Sequence, residues 1–239
     1  MSDRIERAFT QQAPAFEDAR FNRLFTTDSE WLFERLPLGA DDLVLDVAAG
    51  TGHVARRMAP AVRAVVAVDA TVAMLERGRG QSPPNVVFMR GDAAALPFLD
   101  GSFDVVVSRF AVHHFEEPEV QLAEMRRCLR PGGRLAIADL VASSEEQNRL
   151  ERLRDPSHAR MLALDELAAL VGTDDVDVRD VRRPLEPWLA QTEPPAAAAD
   201  EIRKALAREL EGGPTTGFRP SRGEDGELHF VHTMASLIA

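Results

Sequence analysis

With one cysteine, Cys128, the 239-residue chain can form neither an internal disulfide nor a thiolate cage for a metal. Lysine is as scarce: Lys204 stands alone, so arginine carries nearly all the positive charge, which reads as the base bias of a GC-rich bacterial genome. No stretch approaches the roughly 20 apolar residues that cross a bilayer. The opening MSDRIERAFTQQ is charged and lacks the apolar core of a signal peptide. The expected location is therefore cytoplasmic, with no membrane partner. Runs of like charge are missing too. The balance is 28 basic against 39 acidic residues, a formal net charge of −11. That excess repels phosphate backbones and sets nucleic acid aside as a partner. Neither H-E-x-x-H nor the Gly-x-Ser-x-Gly elbow occurs, so metal-protease and serine-hydrolase chemistry have no carrier. No metal site is expected: His229 and His232, three apart on a strand, would fall on opposite faces.

What is present is an ordinary 45% of apolar residues, in a length that suits one α/β domain with a small cap. Residues 1–40 have a helical pattern, Ile5, Ala8 and Phe9 sharing one face, and are dense in aromatics (Phe9, Phe16, Phe21, Phe25, Trp31, Phe33). From 41 to 140, short runs alternate with helical stretches: LVLDV (43–47), AVVAVD (64–69), VVFM (86–89), FDVVVS (103–108) and RLAIAD (134–139). That alternation predicts βαβ units and a parallel sheet. A helix stripe of Leu122, Met125 and Leu129 is expected to run to the breaker Pro131-Gly132-Gly133, with Cys128 as a small core residue.

Beyond 140 a polar helix is predicted near Glu145–Arg154. Leu164, Leu167, Ala168 and Val171 give a second apolar helical face. Val176–Val181 alternates like a strand, Ile202, Leu206 and Leu210 share a helix face, and Leu228–Ile238 reads as a last strand. Thr192–Ala199 and Gly217–Gly226 look like surface loops.

The first run continues Asp46-Val47-Ala48-Ala49-Gly50-Thr51-Gly52-His53, a strand opening into a glycine turn and then a helix. Such a turn lets backbone approach a ligand where side chains would clash. Asp69 ends the next strand, where an acid can accept both hydroxyls of a ribose. The third glycine of a dinucleotide fingerprint is missing, which argues against NAD or FAD. Each acid has a plainer reading as a turn or N-cap residue, and His53 reads as structural. His113 and His114 follow the fourth strand, where a histidine near neutral pH can take a proton from a substrate.

Asp46–Gly52 resembles the first motif of class I S-adenosylmethionine-dependent methyltransferases. Asp69 with Met74 is similar to their second motif, and Gly91-Asp92-Ala93 with Leu96-Pro97-Phe98 to their third. Ser108-Arg109-Phe110 and Leu129-Arg130-Pro131-Gly132-Gly133 complete a series of five in order over about 100 residues. Leu96-Pro97-Phe98 and His113-His114-Phe115 look most like the type 11, ubiquinone/menaquinone C-methyltransferase-like group. The resemblance implies a Rossmann-like, doubly wound, mostly parallel sheet of seven strands with the last antiparallel. It implies a single methyltransferase domain over 1–239: an N-terminal helical cap (1–40), a cofactor-binding core (41–140), and a cap insertion plus the end of the sheet (141–239).

It further implies that S-adenosylmethionine binds and S-adenosylhomocysteine leaves. The implied cofactor contacts are Asp46, Ala48, Gly50, Gly52, Asp69, Ala70, Met74, Asp92, Ala93, Ser108 and Arg109. Asp139 is weighed chiefly as a structural strand-end residue. Phe16 and His158 are the candidate substrate contacts, and His113 and His114 the candidate catalytic pair. The expected reaction is in-line methyl transfer to a small acceptor, apolar or aromatic because Phe9, Phe16, Phe25, Trp31 and Trp188 would build the cap. Alternatives are the same cofactor site used for a cyclisation or similar transformation, or a non-catalytic binding module. Homodimerisation is left open.

Overall fold

Val-rich runs suit a sheet covered on both faces, and five of them become parallel strands. The computed structural model describes residues 3–18 and 30–239. Its parallel strands are β1 (Leu43–Val47), β2 (Ala64–Asp69), β3 (Val86–Arg90), β4 (Phe103–Arg109) and β5 (Leu129–Leu140). They are followed by β6 (Val176–Pro184), a two-residue β7 (Ser221–Arg222) and β8 (Leu228–Ile238). The path is β3-β2-β1-β4-β5-β8-β6, with β8 antiparallel to both its neighbours and β7 attached to β8 off the path. The expected seven strands form that path, and the short β7 makes an eighth.

The helices are α1 (Asp3–Phe16), α2 (Glu30–Arg35), α3 (His53–Met58), α4 (Val72–Arg79) and α5 (Pro118–Cys128). After β5 come α6 (Glu145–Arg154), α7 (Leu164–Val171), α8 (Leu185–Ala190) and α9 (Ala196–Leu210). Successive strand residues face opposite ways, and the core divides accordingly. Leu45 and Val106 pack with Leu122, Met125 and Cys128 of α5 and with Leu167 and Val171 of α7. Val44 and Val105 pack on the other face with Met58 of α3 and Leu75 of α4. A third cluster joins Leu150 of α6, Trp188 of α8, Ile202 and Leu206 of α9, Phe218 and Phe230.

Several boundaries differ from the sequence reading. Helix α5 stops at Cys128, short of the proline, because Leu129 is already extended (φ −80°, ψ 132°) and pairs with Phe103. A register shift then absorbs Pro131–Gly133 before β5 resumes at Arg134 opposite Val105. Thr192–Ala199 is only partly loop: Ala196–Ala199 form the first turn of α9 behind Pro195, alanine being the best helix former. Within Gly217–Gly226, Phe218 is fully buried and β7 pairs with β8. Phe21 and Phe25 lie outside the described residues. Trp31 is buried, with the Arg179 guanidinium 4.9 Å above its ring, and is not among the residues lining the cleft described next.

Candidate active site

Strand order reverses between β1 and β4, and ligands of open α/β sheets sit at that switch, beyond the carboxyl ends of the strands. A cleft of about 280 Å³ opens there. One half is built from the ends of β1, β2 and β3. Ala48, Gly50 and Gly52 all have positive φ (56°, 57° and 80°). A Cβ on Gly52 would lie 2.6 Å from the Phe88 ring, so that turn tolerates only glycine. The Gly50 N–H donates to Asp69 Oδ2 at 2.8 Å, and the Thr71 N–H to Asp69 Oδ1 at 2.8 Å. Asp69 thus ties the glycine turn to the start of α4. Burial raises its pKa despite those two donors.

Asp46 Oδ2 accepts from the Ala55 N–H in the first turn of α3 at 3.0 Å. Burial pushes Asp46 up to about 7, against the pull of Arg109 and of the Ala55 N–H. Met74 is buried against the same half, and Asp92 Oδ1 accepts from the Ala94 N–H at 3.0 Å. Asp46, Ala48, Gly50, Asp69, Ala70, Met74, Asp92, Ala93 and Arg109 all line the cleft. Gly52 and Ser108 do not: Gly52 packs under the turn, and the buried Ser108 hydroxyl donates to the Val47 carbonyl at 2.9 Å. Thr51 lines the cleft with a buried Oγ1 that has no hydrogen-bond partner among the described residues.

Helix α1 lies along this half through Ile5, Phe9, Gln12 and Phe16, so Phe16 reaches the cleft as the sequence suggests. His53 braces α1, its Nε2 lying 3.0 Å from the Phe16 carbonyl.

The middle of the cleft follows β4. Phe110 holds φ +52°, an uncommon geometry for a bulky residue, and leads into a short 3-10 turn, Val112–His114. His113 is 7% exposed, and its Nδ1 lies 2.5 Å from Asp139 Oδ1. Asp139 Oδ2 accepts from the Val112 N–H at 2.6 Å, and Oδ1 also accepts from the Leu140 N–H at 2.6 Å. Burial alone would raise Asp139, but the His113 ring holds it below its ordinary value. Against the same burial, Asp139, Glu151 and Asp155 raise His113 above 6.5. An ionised Asp139 accepts the Nδ1 proton and leaves Nε2 as the lone pair. That Nε2 has no hydrogen-bond partner among the described residues, in a side chain that lines the cleft.

His114 also lines the cleft but differs electrically. Its Nδ1 is 3.1 Å from both the carbonyl and the hydroxyl of Ser157, and the Phe9 ring stands edge-on at 4.8 Å. Burial and the neighbouring His113 lower it to about 4. His158 does not reach the cleft. It is buried with Nε2 3.0 Å from Asn148 Oδ1, its ring 5.5 Å from that of His113, and is lowered to about 3, mainly by burial.

The far end, beyond β5, holds Leu140, Arg154, Asp155, Arg183, Trp188, Gln191, Thr192 and His232. Of these, the sequence offers only Trp188 as part of the site. Asp139 reads from sequence as structural, and Glu145–Arg154 as a polar helix, whereas the end of that helix turns inward at Arg154. Opposite strand faces for His229 and His232 hold: His232 is buried on Glu151 and His229 is not.

Residues 45–137 match the family described as Methyltransferase domain, of type 11. The chain is similar to the uncharacterised methyltransferase YcgJ of Bacillus subtilis, 37% identical over 153 residues that cover 60% of each chain. It is 34% identical over 156 residues to the uncharacterised protein YafE of Escherichia coli, covering 59% of this chain and 75% of that one. Against the demethylmenaquinone methyltransferase of Renibacterium salmoninarum it is 47% identical over 96 residues, 40% of each chain. The first and third of these matches span less than two thirds of the relative's length. Among solved structures, a Bacillus halodurans protein taken to be a methyltransferase superposes with a TM-score of 0.79 at 27% identity, covering 89% of this chain and 97% of that one. The YcgJ crystal structure gives 0.72 at 29% identity, covering 90% and 95%.

Proposed function

The chain belongs to the class I S-adenosylmethionine-dependent methyltransferases, in the type 11 methyltransferase-domain family, and on that premise we propose that it methylates a small acceptor using His113 as general base. The observation that carries the reading is the placement of His113. Its free Nε2 belongs to the same cleft as the glycine turn and Asp69, and Asp139 fixes the ring from behind. The residues present fit the donor: a partly buried acid at the end of β2, a buried Met74, Asp92 beside Ala93, and the unpartnered Thr51 hydroxyl. Asp69 would hold the ribose, Met74 and Asp92 the adenine, and the turn from Ala48 to Gly50 the methionine portion. The sulfonium supplies a methyl group already activated for in-line displacement.

What remains for the protein is to orient the acceptor, exclude water and receive a proton. Orientation contributes most, about 7–11 kcal/mol in favourable cases, against roughly 10²–10⁴-fold for a base. The different electrostatics of the two candidate histidines support different roles for them. A group lowered to about 4 is a weak proton acceptor, so His114 shapes the wall with Phe9, and His113 takes the proton. Helix α1 and the 141–165 segment act as the cap within one domain. The apolar lining of the cleft (Ile5, Phe9, Phe16, Trp188) favours an acceptor with an apolar or aromatic body.

The test of the donor site is calorimetric. S-adenosylhomocysteine should bind, and at 100 times its dissociation constant should stabilise the fold by about 2.7 kcal/mol, whereas NAD should give neither heat nor a melting shift. No heat with either sulfur compound sinks the reading.

Asp69→Ala should weaken S-adenosylhomocysteine at least about tenfold, since charge-assisted acceptance of two hydroxyls is lost. The turn loses its Gly50 anchor at the same time. Circular dichroism must show a folded variant, and affinity equal to the parent's would refute the ribose assignment.

A further inference from the structure

The far end of the cleft contains a charge the methyl-transfer reading does not use. Arg154, at the last turn of α6, is 9% exposed and lines the cleft. Its Nε donates to Glu151 Oε2 at 3.1 Å, and its guanidinium lies 4.5 Å over the Trp188 ring. Glu151 on one edge and the indole on one face fix the plane of the fork. The two terminal nitrogens then remain. Nη2 is 4.0 Å from Asp155 Oδ2, too far for a hydrogen bond, and neither terminal nitrogen has a hydrogen-bond partner among the described residues. Both terminal nitrogens keep contact with the open cleft, where donors without a protein partner can meet a ligand.

Three neighbours reinforce this. Arg183, 7% exposed, also lines the cleft. It stands opposite Phe230 in the β6–β8 register, two residues along from the Val181–His232 pair, and so shares the His232 face. Gln191 lines the same end with a buried Nε2 that has no partner among the described residues. Thr192 hydrogen-bonds the Arg154 carbonyl at 2.9 Å and ties this segment to α6.

Resting on the methyl-transfer reading of this cleft, we propose that the acceptor carries a carboxylate, received by the terminal nitrogens of Arg154 with Arg183 and Gln191 around it. The aromatic or apolar body of the acceptor lies against Trp188 and points its reacting atom at His113. A planar monoanion matches the two-pronged guanidinium end. A phosphate dianion would meet the standing charges of Glu151 and Asp155 as well. The anchor explains how a cleft with mostly apolar walls can hold its acceptor in one orientation.

The test titrates the protein, saturated with S-adenosylhomocysteine, with benzoate, phenylacetate and 4-hydroxybenzoate and with the three corresponding amides, by calorimetry. At least one acid should bind about tenfold or more tighter than its amide. Arg154→Lys keeps a charge for Glu151 but loses the fork, and should remove most of that preference. Acids that bind no tighter than their amides, acids that do not bind, or a preference that survives in Arg154→Lys each overturn the proposal. If the variant fails to fold, the acid–amide comparison on the parent decides alone. If S-adenosylhomocysteine gives no heat with the parent, the donor-site reading is what fails, and the same titrations without it still judge the carboxylate.

Discussion

His113→Ala should lower turnover by roughly 10²–10⁴-fold while leaving the affinity for S-adenosylhomocysteine within about twofold of the parent's. The asymmetry follows from position: His113 sits on the turn after β4, whereas the proposed donor contacts come from the ends of β1, β2 and β3. The pH profile separates a base from a wall residue. A base acts in its deprotonated form, so the parent's rate should rise as pH passes the His113 pKa. That midpoint lies above 6.5, because Asp139, Glu151 and Asp155 outweigh burial. Asp139→Asn removes the nearest charge and leaves burial less opposed, so the midpoint should move to lower pH as turnover falls. In His113→Ala the remaining rate should rise only where the acceptor ionises by itself. His114→Ala, whose ring is already neutral at physiological pH, should alter acceptor KM more than kcat. An unchanged pH profile in both His113→Ala and Asp139→Asn would defeat the base assignment.

The cleft half proposed for the donor is legible in the sequence because its signals are local. A strand-end acid, a glycine turn with positive φ at Gly50 and Gly52, and a second acid after the next strand are close in sequence, and their roles follow from backbone geometry. The limits there are of detail: the Ser108 hydroxyl is taken up by the Val47 carbonyl, and Gly52 packs too closely on the Phe88 ring to line the cleft. The half proposed for the acceptor is not legible, because it is assembled across long separations. His113 meets Asp139 from 26 residues away, and His232 meets Glu151 from 81. Pattern reading takes an acid at the end of β5 as a turn residue, and takes Glu151 and Arg154 as the polar face of a surface helix. Only the folding of α6 against β8 and α8 turns that face inward. The aromatic count misled in the same way. Trp31 and Trp188 look equivalent in sequence, but α2 puts Trp31 beneath Arg179 of β6, away from the cleft.

Glu151→Ala should destabilise the fold by about 3–5 kcal/mol, the usual cost of stranding one member of a buried charge pair. Glu151 is 0% exposed; its Oε1 accepts from His232 Nε2 at 2.7 Å and its Oε2 from Arg154 Nε at 3.1 Å. Burial by itself would raise its pKa, yet Arg154 and the His232 hydrogen bond hold it far below the ordinary carboxylate range. Removing the carboxylate therefore leaves a largely buried guanidinium with only Asp155 at 4.0 Å. Urea unfolding at pH 7.5 measures the loss, and a cost under about 1 kcal/mol would show that water or a rotamer change rescues Arg154. Glu151→Leu combined with Arg154→Met should cost less than Glu151→Ala alone, because no charge is then left unpaired. Acid should act on the same region. His114, His158 and His232 stay neutral in the fold, lowered mainly by burial to about 4, 3 and 4, while the unfolded chain protonates them near 6.5. Stability from these three is complete above pH 6.5 and drains as pH falls from there toward 4, since only the unfolded state takes up the protons. His113 contributes with the opposite sign: its stabilisation is complete below 6.5 and is lost as pH rises through its raised value. His53, lowered too, acts with these three, while the raised Asp46 and Asp69 act with His113. With four groups against three, the parent's urea midpoint should be lower at pH 5 than at pH 7.5, and His232→Gln should shrink that difference. A midpoint that does not fall between those two values would mean that the histidines are not held neutral.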